Sequence, residues 1–222
     1  MIGREQALGP FPLKAKAYYL LFGFDHMGLQ VRAMHLCGLL DNLREPRRIL
    51  DAGCRGGEYC FYFARRYPSA QVLGIDVDKP WLRIAEYIRR RLGERGARIM
   101  FQEADLTKYR PDTRFDLISC IDVLEHIADD EVVLRNLKAA LDERGLLLLH
   151  VPQRVELNDY VLPGFPMSKM SEGHVREYTE IDILSKVKRA GFEVQEILQD
   201  QENRRRIQNA LVQIGRDIEL AV

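Results

Sequence analysis

The fold of this chain is decided by the stretch Arg48-Ile49-Leu50-Asp51-Ala52-Gly53-Cys54-Arg55-Gly56-Gly57-Glu58. A short apolar run ends in an acid, and a glycine-rich turn then leads into a segment with helical character. Glycine at such a turn lets the backbone approach a ligand closely, because no Cβ stands in the way. A second acid, Asp76, ends another apolar run 23 residues beyond Gly53. Together the two acids predict a nucleoside-containing ligand that carries a positive charge or an amine.

The composition is that of an ordinary globular α/β protein. The chain has 222 residues, of which 46% are hydrophobic and 30% are charged. Lys plus Arg and Asp plus Glu number 33 each, so the formal net charge is zero. This balance gives no indication of a nucleic-acid or anionic-membrane partner, and no Asn-Pro-Pro-Tyr motif for reading bases occurs.

Cysteine usage and the N-terminus bear on the compartment. Cys37, Cys54, Cys60 and Cys120 form no CxxC pair and no Cys/His cluster with zinc spacing. We therefore predict reduced thiols, a cytoplasmic location and no metal site. Residues 1–16 hold no apolar core of the signal-peptide kind, and no window approaches the ~18 apolar residues of a membrane span.

Strand and helix signals alternate through the centre of the chain. This alternation predicts βαβ units, and hence an α/β fold with a Rossmann-like, doubly wound, mostly parallel seven-stranded sheet. Six of the strands are predicted at 48–52, 70–76, 98–103, 115–121, 146–151 and 192–198. The tail 201–222 is predicted to hold one more helix and a short strand at 218–222.

Apolar periodicity and capping residues locate the helices. A helix is predicted over 57–67, and Asp78 with Pro80 predicts the start of the next one. Thr179 and Asp182 predict a capping box for a later helix. Two apolar stripes are predicted to face the core: Trp81, Ile84, Ala85, Ile88 and Leu92 in one helix, and Val133, Leu134, Leu137 and Leu141, ended by Gly145, in another.

Two regions depart from the alternation and define the domain organisation. Residues 1–46 are predicted to be a helical N-terminal extension or cap, helical over 14–43 with a break at 23–28. Residues 47–222 form the α/β domain. Within it, 152–178 is a long connection rich in Pro, Gly, Met and aromatic residues, which indicates a substrate loop.

The strand ends also carry polar residues that suit a nucleoside. Asp76 can accept hydrogen bonds from both ribose hydroxyls, and Asp105, between Ala104 and Leu106, can accept one from an adenine amino group. A dinucleotide fingerprint G-x-G-x-x-G is not met, since it needs glycine where Arg55 and Glu58 stand. No Tyr-x-x-x-Lys occurs either, which disfavours a nicotinamide-dependent oxidoreductase but leaves it as an alternative.

These motifs resemble those of class I S-adenosylmethionine-dependent methyltransferases, in the broad group that includes the ubiquinone-biosynthesis O-methyltransferases. The resemblance covers about residues 47–199. The matching segments are Asp51-x-Gly53-Cys54-x-x-Gly57, Gly74-Ile75-Asp76, Ala104-Asp105, Phe115-Asp116, Val123-Leu124-Glu125-His126, Gly173-His174-Val175-Arg176 and Gly191-Phe192-Glu193-Val194.

The resemblance implies S-adenosyl-L-methionine as the cofactor. The residues that it assigns to cofactor binding are Asp51, Gly53, Cys54, Arg55, Gly57, Asp76, Val77, Ala104, Asp105, Leu106, Ile121 and Asp122. Arg55 departs from the family pattern, which usually has glycine there. Its side chain must point away from the methionine part of the cofactor, or the turn must shift.

The resemblance further implies direct methyl transfer to a small-molecule or lipid-like acceptor, with oxygen as the favoured target. A hydroxyl acceptor benefits from a general base, and His126 and His174 are the candidates; a packing role at a helix entrance is the alternative for His126. The acceptor wall is predicted to be apolar and to comprise Tyr18, Tyr19, Phe22, Phe24, Phe165, Met167 and Met170, although the N-terminal aromatic residues can instead pack against the sheet or a partner subunit.

We expect no nucleic-acid partner and no stable membrane insertion, and the sequence leaves a homodimer open. A non-catalytic, methyltransferase-like binding protein is a further alternative.

Overall fold

The computed structural model of the protein describes residues 1–23, 38–40, 44–152, 173–199 and 209–215. Five parallel strands form the centre of the fold, in the order β3-β2-β1-β4-β5. They are β1 Arg48–Ala52, β2 Gln71–Asp76, β3 Ile99–Glu103, β4 Phe115–Ile121 and β5 Leu141–Pro152. The predicted α/β class with a parallel sheet is thus confirmed.

The sheet continues past β5 with β7, Asn209–Gly215, and β6, Glu193–Gln199. Strand β7 is antiparallel to both of its neighbours, so the order on this side is β5-β7-β6. A strand therefore occupies part of the tail in which a helix is predicted, because the backbone of 209–215 pairs with a strand on each side. The strand predicted at 218–222 lies outside the described residues.

Helices cover both faces of the sheet, as the doubly wound prediction requires. The helices are α1 Leu13–Phe22, α2 Glu58–Arg66, α3 Lys79–Arg91, α4 Glu94–Ala97, α5 Asp130–Ala140 and α6 Glu180–Arg189, with 3-10 turns at Arg4–Leu8 and Leu124–His126. Helices α2 and α3 bury one face together with Ile49, whereas α5 and α6 bury the opposite face together with Leu50. Successive residues of β1 thus point into different cores, as a strand's period of two dictates.

Two local signals locate helix starts correctly. The Asp78 carboxylate accepts a hydrogen bond from the Trp81 backbone N–H at 3.1 Å and caps α3, with Pro80 in the first turn. Thr179 and Asp182 form the predicted capping box of α6.

The end of α5 differs from the prediction. The helix stops at Ala140, and Leu141 already belongs to β5, where it pairs with Phe115. Gly145 therefore lies within the strand, beside a register shift between Phe115 and Leu117, and does not end the helix. A Cβ at Gly145 would lie 2.8 Å from the carbonyl oxygen of Phe115. This close approach, and not a helix stop, explains the glycine.

The apolar stripe of α3 and the N-terminal helix also differ in part. Leu82, Ala85 and Ile88 are the buried residues of α3, so Leu82 takes the core position that the prediction gives to Trp81. At the N-terminus α1 ends before Gly23, which has a φ of +83°. Most of the predicted continuation to residue 43 lies outside the described residues, although 38–40 are helical.

The strand order determines where a ligand can bind. Strand β1 pairs with β2 on one side and β4 on the other, so the chain leaves β1 and β4 towards opposite faces. In open α/β sheets a crevice forms at the carboxyl ends of the strands beside such a reversal. The glycine-rich turn after β1 lies at this position.

The capping box of α6 can be tested by substitution. We expect Thr179→Ala to lower the free energy of unfolding by about 1 kcal/mol, because the N–H of Asp182 loses its hydroxyl acceptor. Urea denaturation gives this difference. Thr179→Ser is the matched control and should remain close to the wild type; equal stability of the alanine variant would show that the cap contributes nothing.

Candidate functional site

A cavity of about 610 Å³ opens at the carboxyl ends of the first four strands. Its volume is that of a typical small-molecule site. Ten of the twelve predicted cofactor residues line it: Gly53, Cys54, Arg55, Asp76, Val77, Ala104, Asp105, Leu106, Ile121 and Asp122. The structure therefore brings together residues that the sequence distributes over four strand ends, while their part in binding stays a prediction.

The turn after β1 requires its first glycine. Gly53 has a φ of +81°, and a Cβ there would lie 2.3 Å from a methyl carbon of Val123. The backbone N–H groups of Gly53 and Cys54 both donate to the carbonyl oxygen of Ile75, at 2.8 and 3.0 Å. The turn is thus fixed to β2 on one side and packed against the loop after β4 on the other.

The carboxylate of Asp76 organises the cavity floor. One oxygen accepts a hydrogen bond from the Arg55 backbone N–H at 2.7 Å, and the other accepts one from the Asp78 N–H at 2.8 Å. An ionised carboxylate offers about four acceptor positions, so each oxygen retains capacity for a ligand hydroxyl. The two backbone bonds hold the group in place at the end of β2.

Arg55 fits the turn in a conformation that favours glycine. Its φ is +45°, which costs a residue with a side chain about 1–2 kcal/mol. The backbone bond to Asp76 offsets part of this cost. The guanidinium carbon lies 4.2 Å from the centroid of the Trp81 ring, a cation–π contact. Among the two alternatives for Arg55, the side chain turns aside onto Trp81 at the cavity wall.

Asp105 and Asp122 are both held by neighbouring groups. One oxygen of Asp105 accepts from the N–H and the hydroxyl of Thr107, at 2.9 and 2.7 Å, and these bonds lower the pKa of the carboxyl. Asp122 has a φ of +55°, and its carboxylate lies 2.6 Å from Nδ1 of the buried His150. Its N–H also donates to the His150 carbonyl oxygen at 3.1 Å. Both carboxylates are therefore fixed at the cavity wall.

Asp51 and Gly57 lie outside the cavity lining, unlike the other predicted cofactor residues. Asp51 is 2% exposed and lies beneath the turn, where packing closes it off. Gly57 has a φ of +81°, and a Cβ there would lie 2.7 Å from the ring of Phe101. Gly57 thus serves the entry into α2, and Asp51 supports the turn from below instead of forming part of the cavity wall.

The Asp51 carboxylate links three elements. One oxygen accepts from the hydroxyl of Ser119 in β4 at 2.8 Å, and the other accepts from the thiol of Cys60 in α2 at 3.2 Å. Burial raises the pKa of Asp51 to about 6; the nearby charge of Asp76 acts in the same direction, and the two hydrogen bonds oppose it. The group is therefore charged at neutral pH at a cost in stability.

The two predicted catalytic histidines meet although they are far apart in sequence. Their ring centroids lie 4.7 Å apart, nearly perpendicular. His126 lines the cavity, whereas His174 is not among the lining residues. Nδ1 of His126 lies 2.9 Å from the Gly173 carbonyl oxygen, which can only accept, so in the neutral ring Nδ1 carries the proton and Nε2 has the lone pair. Burial, followed by the neighbouring His126, lowers the pKa of His174.

A short segment, residues 173–178, attaches His174 to the loop after β4. The Val175 N–H donates to the carbonyl oxygen of Glu125 at 2.8 Å. The buried carboxylate of Asp130 receives the Arg176 guanidinium at 2.8 Å and the Tyr178 hydroxyl at 2.8 Å. These bonds fix the position of His174 against His126 through tertiary contacts alone.

Several residues that line the cavity are not predicted from the sequence. They are Glu58, Tyr59, Asp78, Trp81, Val123 and Ile127. Trp81 belongs to the predicted core stripe, although its place in the first turn of the helix that follows Asp76 indicates a ligand contact. Of the predicted acceptor wall, Tyr19 lines the cavity, whereas Tyr18 and Phe22 are 39% and 48% exposed. Phe24, Phe165, Met167 and Met170 lie outside the described residues.

The polar and apolar groups that line the cavity suit S-adenosylmethionine. Asp76 offers acceptors for a diol, Ala104, Leu106 and Ile121 give apolar surface for a flat base, and Gly53 leaves room for close approach to the backbone. Within the described ranges, no helix has the length and apolar character needed to cross a membrane.

Comparisons with known proteins point the same way. A family profile described as "Methyltransferase domain" matches residues 31–197. The chain is 32% identical over 110 residues to a ubiquinone biosynthesis O-methyltransferase of Aeromonas salmonicida, covering 49% of this chain and 44% of that protein. The chain spans less than half the length of the curated relatives that it matches.

Two solved structures share the fold at low identity. The [4+2]-cyclase SpnF superimposes with a TM-score of 0.69 at 18% identity, covering 85% of this chain and 82% of that one. The 1,6-didemethyltoxoflavin-N1-methyltransferase of Burkholderia thailandensis, with 1,6-didemethyltoxoflavin and S-adenosylhomocysteine bound, has a TM-score of 0.65 at 20% identity, covering 87% of this chain and 80% of that one.

The raised pKa of Asp51 predicts a pH-dependent stability. The folded protein binds this proton more tightly than the unfolded chain does. The stabilisation of the folded state by the bound proton is therefore complete below pH 4 and is lost as the pH rises through 6. Between pH 5 and 7 we expect this group to remove about 1 kcal/mol of unfolding free energy. Urea denaturation at both values measures it. Asp51→Asn should lack this difference, and an identical pH dependence in both proteins would contradict the assignment.

Proposed function

Since the chain belongs to the family of S-adenosylmethionine-dependent methyltransferases, we propose that it methylates a small-molecule or lipid-like acceptor, with oxygen as the favoured target atom. The observation that carries this proposal is the cavity at the ends of β1 to β4, where Asp76, Asp105 and the Gly53 turn converge. A cofactor outline on successive strand ends is the arrangement that this fold uses for nucleoside ligands.

The chain's own residues position the two reactants. Asp76 would accept hydrogen bonds from the ribose hydroxyls and Asp105 one from the adenine amino group, and Asp122 lines the same cavity. S-adenosylmethionine supplies a methyl group made electrophilic by its sulfonium. Enclosure of both reactants in one cavity replaces a bimolecular encounter by a fixed geometry, which is the main source of acceleration in such a transfer.

The acceptor side is assigned to His126. Because its Nδ1–H is engaged by the Gly173 carbonyl oxygen, the neutral ring offers the Nε2 lone pair. This lone pair can accept the proton of an acceptor hydroxyl as its oxygen attacks the methyl carbon. His174 supports His126 from behind through its ring contact. Oxygen is favoured because a neutral hydroxyl is a weak nucleophile, and a base that accepts its proton strengthens it.

The wider organisation is proposed along the same lines. Residues 1–46 form a helical cap over a methyltransferase domain, 47–222, whose sheet has seven strands and whose 152–178 connection is a substrate loop. The contacts of Phe11 with Tyr19 and Trp81, at centroid distances of 5.5 and 6.3 Å, support the cap. Nucleic acid is not a partner, no stable membrane insertion occurs, and a homodimer is compatible with the exposed apolar residues of α1.

A cytoplasmic location is part of the proposal. Among the described residues Cys54, Cys60 and Cys120 are free and buried thiols. Reduced cysteines are typical of proteins in reducing compartments.

The proposal is tested by binding and by turnover. Trp81, the single tryptophan of the chain, lines the cavity, so its fluorescence can follow S-adenosylhomocysteine binding. Transfer of a labelled methyl group to a panel of phenolic, carboxylate and amine acceptors then identifies the target. Tight NADH binding without S-adenosylhomocysteine binding would contradict the proposal, whereas cofactor binding without turnover on any acceptor would favour a non-catalytic binding protein.

Asp76 gives the sharpest single substitution. We expect Asp76→Asn to weaken S-adenosylhomocysteine binding by about tenfold or more, because hydrogen bonds to a charged acceptor are lost. Calorimetry measures the affinity, and thermal unfolding shows whether the turn remains formed.

The matched control for Asp76 is Glu103→Gln. Glu103 lies opposite Asp76 in the register of β2 and β3, but its side chain is 51% exposed and contacts Lys79 outside the cavity. Its affinity should stay within about twofold of the wild type. Equal affinities for the Asp76 variant and the wild type would show that the ribose assignment is wrong.

A further inference from the structure

Three potential ligand atoms meet beside the cofactor cavity. Glu125, His126 and His174 each offer one carboxylate oxygen or ring nitrogen, and these atoms all lie within 4.8 Å of one another. Glu125 is 1% exposed, whereas His126 is exposed and lines the cavity. Spacing along the chain gave no sign of this cluster, because His174 follows His126 by 48 residues.

The histidine geometry is that of a metal ligand as well as that of a base. Metal-binding histidines usually donate their other ring N–H to a carbonyl or carboxylate oxygen, which fixes the tautomer and the ring. Nδ1 of His126 has such a bond to the Gly173 carbonyl oxygen at 2.9 Å. Its Nε2 lone pair is therefore available to a cation.

The cluster is also built on fixed backbone. The Val175 N–H bonds to the Glu125 carbonyl oxygen, and Arg176 and Tyr178 bond to Asp130, so the two chain segments that supply the three side chains are attached to each other. Sites on attached elements hold ligand geometry better than sites on independent loops.

We propose that Glu125, His126 and His174 bind one divalent transition-metal ion at the edge of the cofactor cavity. Two imidazoles and one carboxylate suit Zn²⁺, Mn²⁺, Fe²⁺ or Co²⁺ better than Mg²⁺, which prefers an all-oxygen shell. Ligand atoms around one such ion lie about 3 Å apart, so the side chains need to close by about 1–2 Å. Small side-chain rotations of Glu125 and of the half-buried His174 provide this, while His126 keeps its bond to the Gly173 carbonyl oxygen.

The inference rests on the proposed function and specifies the chemical class of its acceptor. A cation at the cavity edge lowers the pKa of an acceptor hydroxyl that joins its shell. That hydroxyl then releases its proton to solvent while the oxygen keeps the electron pair for attack. The acceptor class narrows accordingly to molecules whose hydroxyl, alone or with an adjacent oxygen, can bind a metal ion. His126 then serves as a metal ligand, and the metal ion replaces it in the role that the proposed function gives it as a base, which is to activate the acceptor hydroxyl.

Metal binding is tested on the full chain after removal of metals with a chelator. Calorimetry with Zn²⁺, Mn²⁺ and Mg²⁺ salts, combined with elemental analysis after dialysis, gives affinity and stoichiometry. We expect one equivalent of Zn²⁺ or Mn²⁺ to bind, and Mg²⁺ to bind at least tenfold more weakly. The absence of a one-to-one saturable site for any transition-metal ion would overturn the proposal.

Substitutions locate the ion. His174→Ala and Glu125→Gln should each weaken binding by tenfold or more, and His174→Ala, at a half-buried position, guards against a failure of the Glu125 variant to fold. Glu177→Gln removes an exposed charge close to His174 and should bind the metal like the wild type. Unchanged affinity in both ligand variants would assign the metal to another site and refute the inference.

Cofactor binding separates this inference from the proposed function. S-adenosylhomocysteine affinity should stay within about twofold in His174→Ala, because His174 does not line the cavity. Loss of metal binding with retained cofactor binding supports both statements. Cofactor binding by a wild type that binds no metal would refute the metal site alone, whereas metal binding without any cofactor binding would refute the proposed function.

Discussion

The carboxylate of Asp51 joins β1, β4 and α2 at one buried point. Its hydrogen bond to Ser119 links β1 to β4, the two strands at which the winding direction of the sheet reverses, and its bond to Cys60 links β1 to α2. Burying an ionised group is costly unless hydrogen bonds compensate it, and the raised pKa of Asp51 indicates that its hydrogen bonds offset the burial only in part. The turn that begins two residues later therefore starts from a fixed position, and the cavity is arranged around that turn.

Backbone strain is concentrated around the same cavity. Among the described residues that carry a side chain, Arg55 and Asp122 have positive φ, and both line the cavity. Such conformations persist only where the surroundings impose them. Val123 packs against Gly53, Asp76 accepts the Arg55 N–H, and His150 holds Asp122 through both its ring and its carbonyl oxygen. The free-energy cost of these backbone conformations is the cost of a preorganised cavity wall.

The acceptor side is assembled differently from the cofactor side. The predicted cofactor residues follow their strands directly, so the parallel sheet alone aligns them. The region around His126 instead depends on residues 173–178, which the bonds to Asp130 and Glu125 attach to the loop after β4. Tyr19 of α1 adds a wall from the opposite end of the chain. The part of the cavity around His126 thus depends on contacts between distant segments, while the part at the strand ends depends on the sheet.

Local patterns in the sequence were sufficient for the strands that form the centre of the sheet and for the helix starts. Strands β1 and β4 have the predicted bounds, and Asp78 and the Thr179 capping box act as expected. These features depend on neighbours within a few residues, such as apolar runs, caps and turn glycines. The acids at strand ends followed from the same logic, since parallel strands bring their carboxyl ends to one edge.

The sequence by itself thus determined the α/β class and ten of the residues that line the cavity. Only the tertiary structure decided that α5 stops at Ala140, that Trp81 turns from the core to Arg55, and that Asp51 lies beneath the cavity. It also brought Glu125, His126 and His174 together. The physical reason is the same in each case, because packing between elements that are distant in the chain outweighs local preference, and no short-range pattern records it.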